Sequence, residues 1–540
     1  MTKMSKAEID LSFKRELQKI KDKIGNEEWV TIYFERRYEN YSSEYVYCAL
    51  IPNSKADGVL QNASWDLSIG SGLPEFSFRF KDGNEVATYN RFCYDGVEPL
   101  AIWRSFYGIK EGYWEISEEF RHYFKLYDDR INGKLILIDD NGDENDAVVV
   151  EKNNIQVKIK LIKEFLAVKK MHLAIFFDYV IYSGKTLSEL NLKEYRKDVS
   201  ENNYCYSIGA SDSSDFGDNL KSLGWLMGKK LIKGLDNFQP KLFNKDNKKY
   251  EDFIIDIDNN GEPVSFTSNE DKLANFFGKN SGAPNYLTPV LFKKEVLGKY
   301  YAQPNKYSVV DGAVMCGDLW SLRIDNNHSE YVMVFLGDLG HLASKEQIYW
   351  KHFNIAKKGK MSYTAWARGF EAKFKDPEKS HLFFKQRYQT VQEKWKKTFG
   401  WNLFLELSEG DNYHWKTLRL PLTNEQKEFD EQVLSLTKLI IDSLNEKELA
   451  NGLTLKPNSK GITKLEGFIR SKGLEIPQLI KYLRNLQDLR SSGVAHLKGE
   501  DYATLKKTFG IGEKNLPEVF DKILIEGIWM LNSLERNFLK

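Results

Sequence analysis

Apolar and polar residues alternate along much of the N-terminal third of the chain, a period of two that is typical of β-strands with one buried face. The alternation predicts six strands: VTIYFER (30–36), YVYCALIP (45–52), PEFSFRF (74–80), GKLILID (133–139), DAVVVE (146–151) and IQVKIKLI (155–162). Segments rich in Gly, Asn and Asp lie between them, which favours hairpins. We also expect a helix within residues 5–25 and another over residues 163–177, in a mostly antiparallel, β-rich domain that covers residues 1–190.

Between residues 191 and 421 both periodicities occur, so we expect an α+β domain with a sensing or regulatory role. The predicted elements are a hairpin at 251–266, short helices at 269–278 and 344–356, a buried strand at 330–340, and an amphipathic helix at 376–400.

Beyond Pro421 the apolar residues recur every three or four positions, which predicts amphipathic helices. Thr423 lies three residues before Gln426, the spacing of a capping box at a helix start. One apolar stripe consists of Phe429, Val433, Leu436, Ile440 and Leu444. Further helices are predicted at 462–473, 477–491 and 516–539, with Leu479, Leu483, Leu486 and Leu489 on the buried face of the second. The expected fold class is therefore α+β, a large mixed β-rich N-terminal region followed by an all-α helical bundle at 422–540.

Composition and charge narrow the classes of function. The 540 residues exceed what a single hydrophobic core usually organises, and 41% apolar with 29% charged residues is typical of folded chains. The net charge is +1, from 78 basic and 77 acidic residues. A protein that held long nucleic acid by its overall field would be basic, so any nucleic-acid contact is expected to be local.

The four cysteines lie more than forty residues apart and form no C-x-x-C pair, which favours reduced thiols over a zinc site or a disulfide framework. The charged N-terminus lacks the apolar run of a signal peptide, and the most apolar segment, residues 173–182, is too short to span a bilayer. We therefore expect a cytoplasmic protein that does not contact membranes.

The predicted helix at 477–491 ends in LRSSGVAHLKG, which places Arg490 six residues before His496. Six residues of unbroken helix correspond to a rotation of about 600°, so the two side chains would point about 120° apart. Gly493 is a natural helix terminator. Convergence of Arg490 and His496 therefore needs a break at Gly493 or contributions from two chains.

The segment from Arg490 to His496 resembles the Arg-x(4–6)-His motif of HEPN domains, which are small helical bundles with the motif near the end of a long late helix. The Leu-Arg-Asn-Leu before it and the Lys498–Gly499 pair after it are similar to HEPN domains of bacterial defence and toxin systems. The resemblance covers about 120 of the 540 residues. It implies that Arg490 and His496 of two protomers meet across a dimer interface and cut RNA without a metal.

The implied chemistry suits these residue types. Histidine can act as acid or base near neutral pH, so His496 is the candidate acid–base. A guanidinium can bind two oxygens of the phosphorane, so Arg490 is the candidate charge stabiliser. Ser491, Ser492 and Lys498 are candidate RNA-binding residues, although Ser491 stands where many family members carry Asn, Asp or His. The expected products are a 2′,3′-cyclic phosphate and a 5′-hydroxyl, with no metal and no cofactor.

The resemblance implies an endoribonuclease of antiviral defence, of the abortive-infection type, whose N-terminal region senses or regulates the C-terminal domain. The implied partners are single-stranded RNA or tRNA loops, a second copy of the chain bound through the bundle, and a phage-derived trigger or regulatory protein at the N-terminal region. The alternative is a non-catalytic HEPN-like dimerisation protein whose N-terminal region binds a partner. An Arg near a helix C-terminus is favoured by the helix dipole alone.

Two other segments have residue types that bind metals. Residues 256–267 begin like a calcium loop but carry Thr267 where Glu is required, so a hairpin turn is expected. Asp338, His341, Glu346 and His352 lie close in sequence without a recognised metal-ligand spacing. Phosphate-loop, dinucleotide-binding and serine-hydrolase motifs are absent from the sequence.

Overall fold

The computed structural model describes residues 11–64, 75–90, 96–212, 219–236, 248–328, 330–356, 359–456, 458–493, 509–512 and 515–539. The chain divides into two compact units. The first unit comprises Met1–Asp139 and Asp143–Asp246, and the second comprises Asp140–Gly142 and Asn247–Lys540. Within the described ranges, no helix has both the length and the apolar character needed to cross a membrane.

The first unit is organised around one large antiparallel sheet. Its strands and two further hairpins are β1 Trp29–Arg37, β2 Ser43–Pro52, β3 Glu75–Lys81, β4 Asn84–Asn90, β5 Ala101–Phe106, β6 Lys110–Ile116, β7 Tyr127–Asp129, β8 Lys134–Ile138, β9 Glu144–Glu151, β10 Asn154–Lys158, β11 Met171–Ser183, β12 Tyr195–Ser200, β13 Tyr204–Asp212 and β14 Ser222–Ile232. The helices are α1 Lys14–Gln18, α2 Ala56–Val59, α3 Glu118–Tyr123 and α4 Ile159–Lys169. Ten strands pair in the order β12-β13-β14-β11-β2-β1-β10-β9-β8-β7, while β3-β4 and β5-β6 are separate hairpins.

Strand β11 joins the two halves of this sheet. It pairs with β2 from Met171 opposite Pro52 to Val180 opposite Ser43, and it pairs with β14 along its other edge. Helix α4 packs into the core on one side of the sheet, and Phe13 and Ile20 of the N-terminal segment belong to a second core that includes Phe177. The expected antiparallel, β-rich N-terminal region is confirmed.

The helix expected over residues 163–177 is wrong in its second half. Helix α4 ends at Lys169, where Lys170 adopts a left-handed conformation with φ of 56°, and β11 begins at Met171. Residues Leu173 to Phe177 are all buried, because both faces of β11 are covered. A strand buried on both faces loses its alternation, so its apolar run is not distinguishable from that of a buried helix.

The sheet continues well past the expected domain boundary at residue 190. Strands β12 to β14 extend it to Ile232, and the first unit ends at Asp246. The expected boundary lies between two strands of one sheet.

The second unit contains small sheets and most of the helices. Its strands are β15 Asp252–Ile257, β16 Pro263–Thr267, β17 Pro289–Lys293, β18 Tyr307–Val310, β19 Ala313–Cys316, β20 Trp320–Arg323 and β21 Tyr331–Phe335. Its helices are α5 Gly298–Ala302, α6 Leu336–Leu339, α7 Ser344–Lys351, α8 Tyr363–Phe370, α9 Ser380–Phe399, α10 Tyr413–Thr417, α11 Gln426–Thr437, α12 Glu446–Ala450, α13 Gly461–Ser471, α14 Pro477–Gly493 and α15 Leu516–Phe538. Helix α11 continues into a π-helical turn, Lys438–Asp442.

The C-terminal helices share one core, and the expected apolar stripes lie in it. Every residue of the two stripes is at most 2% exposed. The first stripe lies on α11 and its π-turn and ends with Leu444 just beyond the turn, and the second lies on α14. Helix α9 also belongs to this core through Phe384, Val391 and Trp395, and it packs along α15. The helical part of the second unit therefore begins before the expected boundary at residue 422.

Two local predictions in the second unit are wrong. Residues 269–278 contain only a single 3₁₀ turn, Glu270–Lys272, rather than a helix. The capping box is absent as well, since Glu425 is the N-cap of α11 and makes no side-chain cap. The Glu428 carboxylate instead accepts hydrogen bonds from the backbone N–H groups of Leu422 and Thr423 at 2.9 Å each.

Candidate active site

Helix α14 holds Arg490 at the edge of the helical core. The preceding residue, Leu489, is 1% exposed and packs inward, whereas the Arg490 side chain is 30% exposed. The apolar stripe that begins at Leu479 determines which face of α14 is turned to the core. Leu489 belongs to that face, and Arg490 is on the neighbouring one. Arg490 therefore reaches solvent from a helix whose opposite face is packed in the core.

The guanidinium of Arg490 is anchored by Asp442, the last residue of the π-helical turn. Its Nη1 donates to Oδ1 at 2.8 Å and to Oδ2 at 2.7 Å of the Asp442 carboxylate. Both contacts use the same nitrogen, and within the described part of the chain Nη2 and Nε have no hydrogen-bond partner. Asp442 thus fixes one nitrogen of the fork, and a guanidinium has two further nitrogens that can donate to a ligand.

A histidine that the sequence did not single out lies near this pair. His414 of α10 is 2% exposed, and its Nδ1 lies 3.0 Å from the Ser435 hydroxyl. Burial lowers the pKa of His414, and the charges of Lys438 and Arg490 lower it further, while Asp411 and Asp442 oppose them. The lowered pKa favours the neutral form of the imidazole, and the ring is enclosed. Its nearness to Arg490 results from packing between helices distant in sequence, which no motif spacing indicates.

The other predicted site residues are only partly described. Ser491 is exposed next to Arg490, and Ser492 lies within α14, which is described through Gly493. His496 and Lys498 lie outside the described residues. The structure therefore gives the position of Arg490 and does not test its distance from His496.

The residues weighed as metal ligands separate into different hydrogen-bond networks. The Tyr286 hydroxyl donates to Asp338 at 2.8 Å and lies 3.0 Å from His341 Nε2. Glu346 is buried elsewhere, where it accepts a hydrogen bond from Tyr300 at 2.9 Å and pairs with Lys299. Across the ranges that the structure describes, no three His, Cys, Asp or Glu side chains converge on a point that could hold a metal ion.

The segment that begins like a calcium loop is a β-hairpin, as expected. Strands β15 and β16 pair in antiparallel fashion, and the Asp258 side chain accepts hydrogen bonds from the backbone N–H groups of Asn260 and Glu262 at 2.8 Å each. Gly261 has a φ of 85°, a left-handed conformation that glycine tolerates. The Asp258 carboxylate stabilises the turn.

Comparisons with protein-family models, with curated proteins and with solved structures give no match for this chain.

Proposed function

We propose that the C-terminal helices form a HEPN-like, metal-independent endoribonuclease, in which Arg490 binds the scissile phosphate and His496 transfers the protons. The observation that carries the proposal is the environment of Arg490, a half-buried cation in the last turns of α14. Its Nη1 is anchored by Asp442, and its Nη2 and Nε bind no other described group. A guanidinium held in this way pays little entropy when it binds a phosphate.

In this proposal each residue has one task. Nη2 and Nε of Arg490 donate to two oxygens of the phosphorane and stabilise its additional negative charge. His496 removes the 2′-hydroxyl proton or protonates the leaving 5′-oxygen. Asp442 is a positioning residue because it orients the guanidinium and touches no substrate. Ser491, Ser492 and Lys498 contact neighbouring phosphates.

Two features of the chain support a composite, regulated site. Arg490 and His496 on one unbroken helix would diverge, so the proposal pairs Arg490 of one protomer with His496 of a second copy. The chain has a net charge of only +1, which suits brief contact with single-stranded RNA or tRNA loops at a local site. Residues 1–421 are then a sensor for a phage-derived trigger or a regulatory partner, in an abortive-infection type of antiviral defence within the cytoplasm.

A second candidate function is a non-catalytic dimerisation module whose N-terminal region binds a partner. The observation that favours it is the Arg490–Asp442 ion pair itself, which joins α14 to the π-helical turn within one chain. An arginine retained only for structure would make the same contact.

The test compares wild type with Arg490→Ala and His496→Ala, expressed in bacteria with and without phage infection. Arg484→Ala is the matched control, since Arg484 also lies on α14 and pairs with Glu466 at 2.9 Å. We expect growth arrest and fragmented RNA with wild type and the control only, with cyclic-phosphate ends and no effect of a chelator on the purified protein. Intact RNA with wild type under infection would favour the dimerisation module, and cleavage by both site variants would place the chemistry elsewhere.

A further inference from the structure

The second unit contains a cavity of about 380 Å³ whose lining does not include Arg490. Strand β18, the segment that follows α8, one face of α9, and α10 line it. Its polar lining includes Asp311, Arg368, Lys385, Gln386 and Gln389, and its aromatic lining includes Trp415. The volume is within the usual range for sites that bind small molecules.

Lys385 contributes a basic side chain to this cavity and forms no ion pair with the residues that the structure describes. Its only hydrogen-bond acceptor among the described residues is the Lys416 carbonyl, at a long 3.4 Å. Burial, and then the nearby charge of Arg419, lowers the pKa of Lys385 to about 7. The carboxylate of Asp311 is already bound by Arg368 at 2.6 Å and by Asn327 at 2.8 Å. An anionic ligand would favour the protonated form of Lys385 and pair with its ammonium group.

The surroundings of Lys385 add to the positive potential. His381 lies four residues before Lys385 on α9 and is 8% exposed. Its Nδ1 is buried and has no hydrogen-bond partner among the described residues. Lys379, Lys294 and Arg419 also lie close enough to His381 to lower its pKa, after burial and Lys385. Glu428 pairs with Arg419, and Glu378 and Asp521 act on Lys379, so part of this charge is balanced. The one carboxylate among the residues that line the cavity, Asp311, is bound by Arg368 and Asn327, and no ion pair of Lys385 occurs among the described residues.

The same cavity offers a planar surface and an amide. The Lys385 Nζ lies 5.7 Å from the centre of the Trp415 ring, so the cation and the aromatic face are neighbours. Oε1 of Gln386 is buried and accepts no hydrogen bond from any described residue. This oxygen has almost no accessible surface, so a ligand reaches it when the Gln386 side chain turns towards the cavity, and an N–H of the ligand then supplies the missing hydrogen bond. Gln389, one turn nearer solvent, can donate or accept at the cavity mouth.

We propose that this cavity binds a nucleoside monophosphate, with the phosphate on Lys385, the base against Trp415 and an exocyclic amino group donating to Gln386. An anion, a flat ring and an amino group within one small molecule match the three features that the cavity holds close together. Inorganic phosphate alone would meet only Lys385 and would leave the ring and the amide unused. The site is independent of the nuclease proposed at Arg490, and it survives if that proposal fails.

The experiment titrates the full chain with AMP, GMP, CMP, UMP, adenosine and inorganic phosphate, and measures binding by calorimetry and the shift of Tm. We expect at least one amino-bearing monophosphate to bind, with weaker binding of the nucleoside and of phosphate. Lys385→Met removes the cation and keeps the stem, and Gln386→Glu keeps the shape but adds a negative charge. Each is expected to weaken binding about tenfold or more, because a hydrogen bond to a charged group contributes about 1.5–3 kcal/mol. Lys397→Met, an exposed position on the same helix, is expected to bind like wild type.

The outcomes that overturn the proposal are distinct. Binding of no monophosphate at millimolar concentration excludes the ligand class. Equal affinity for phosphate alone shows an adventitious anion. Unchanged affinity in both Lys385→Met and Gln386→Glu, with Tm of the free variants near that of wild type, places any binding elsewhere.

Discussion

Replacing Arg490 separates a catalytic role from a structural one, because the structure sets an upper limit on what the residue contributes to stability. Its ion pair with Asp442 has side chains that are 30% and 33% exposed. Pairs of this exposure contribute at most about 1 kcal/mol, since water screens them. Arg490→Ala should therefore lower Tm by no more than about 2–4 °C. If the guanidinium stabilises the phosphorane, the same change should lower the rate of RNA cleavage by about 100-fold to 1,000-fold.

Arg490→Lys sharpens the test. The ammonium keeps the charge and can pair with Asp442, but it cannot also present two parallel donors to a phosphate. We expect wild-type Tm together with strongly reduced cleavage. The assay follows single-turnover cleavage of a labelled RNA on denaturing gels, with thermal unfolding of the same samples and Arg484→Ala as the control.

Two results would refute this reasoning. A fall in Tm much larger than 4 °C for Arg490→Ala, with activity lost in proportion to unfolding, would make the ion pair structural. Cleavage by Arg490→Lys at the wild-type rate would show that a single positive charge is sufficient and that the two donors Nη2 and Nε have no function of their own.

Three further predictions concern stability. Glu346→Ala should lower the free energy of unfolding by about 3 kcal/mol in urea titrations, because the change leaves the partly buried Lys299 without its ion pair. A loss of less than about 1 kcal/mol would contradict a buried ion pair. Asp178→Asn should stabilise the protein by about 1–2 kcal/mol at pH 8 and have no effect near pH 4. Burial raises the pKa of this carboxyl from 3.8 to about 6, so wild-type stability falls as the pH rises through that interval, and a pH-independent effect would contradict this origin. Trp395→Ala should lower the free energy of unfolding by about 3–5 kcal/mol, because the Trp395 ring is fully buried between α9 and the C-terminal helices. A loss under about 1 kcal/mol in chemical denaturation would contradict that packing.

The sequence correctly predicted elements that bury one face. It gave wrong predictions where both faces of an element are buried, or where strands distant in sequence pair with each other. The stripe from Phe429 to Leu444 kept its helical spacing, so the helix and its buried face were both correct. Residues Leu173 to Phe177 are buried on both faces, and the periodicity that distinguishes strand from helix was lost. The boundary at residue 190 was misplaced because strand pairing between β11 and β14 leaves no local sequence signal.

In the candidate site, too, the local features were predicted from the sequence and the long-range contacts were not. The position of Arg490 near the end of a helix was predicted from the spacing of the leucines, which is a local signal in the sequence. Its partner Asp442 is 48 residues away, and the nearby His414 is still more distant. Such contacts depend on how helices pack, which a single sequence does not specify. The environment of Lys385 was missed for the same reason, since Asp311 and Trp415 approach it from other elements.

The order of strands in the ten-stranded sheet determines when the first unit can fold during translation. Strand β2 must wait for β11, which begins more than a hundred residues later, and β11 pairs in turn with β14, which ends at Ile232. Such a high contact order makes closure slow, because loop entropy is lost before the pairing contributes. While the ribosome adds those residues, β1 can pair with β2 and then with β10, but the other edge of β2 in this nascent segment stays open. That nascent segment is the part of the chain on which a chaperone has the longest opportunity to act.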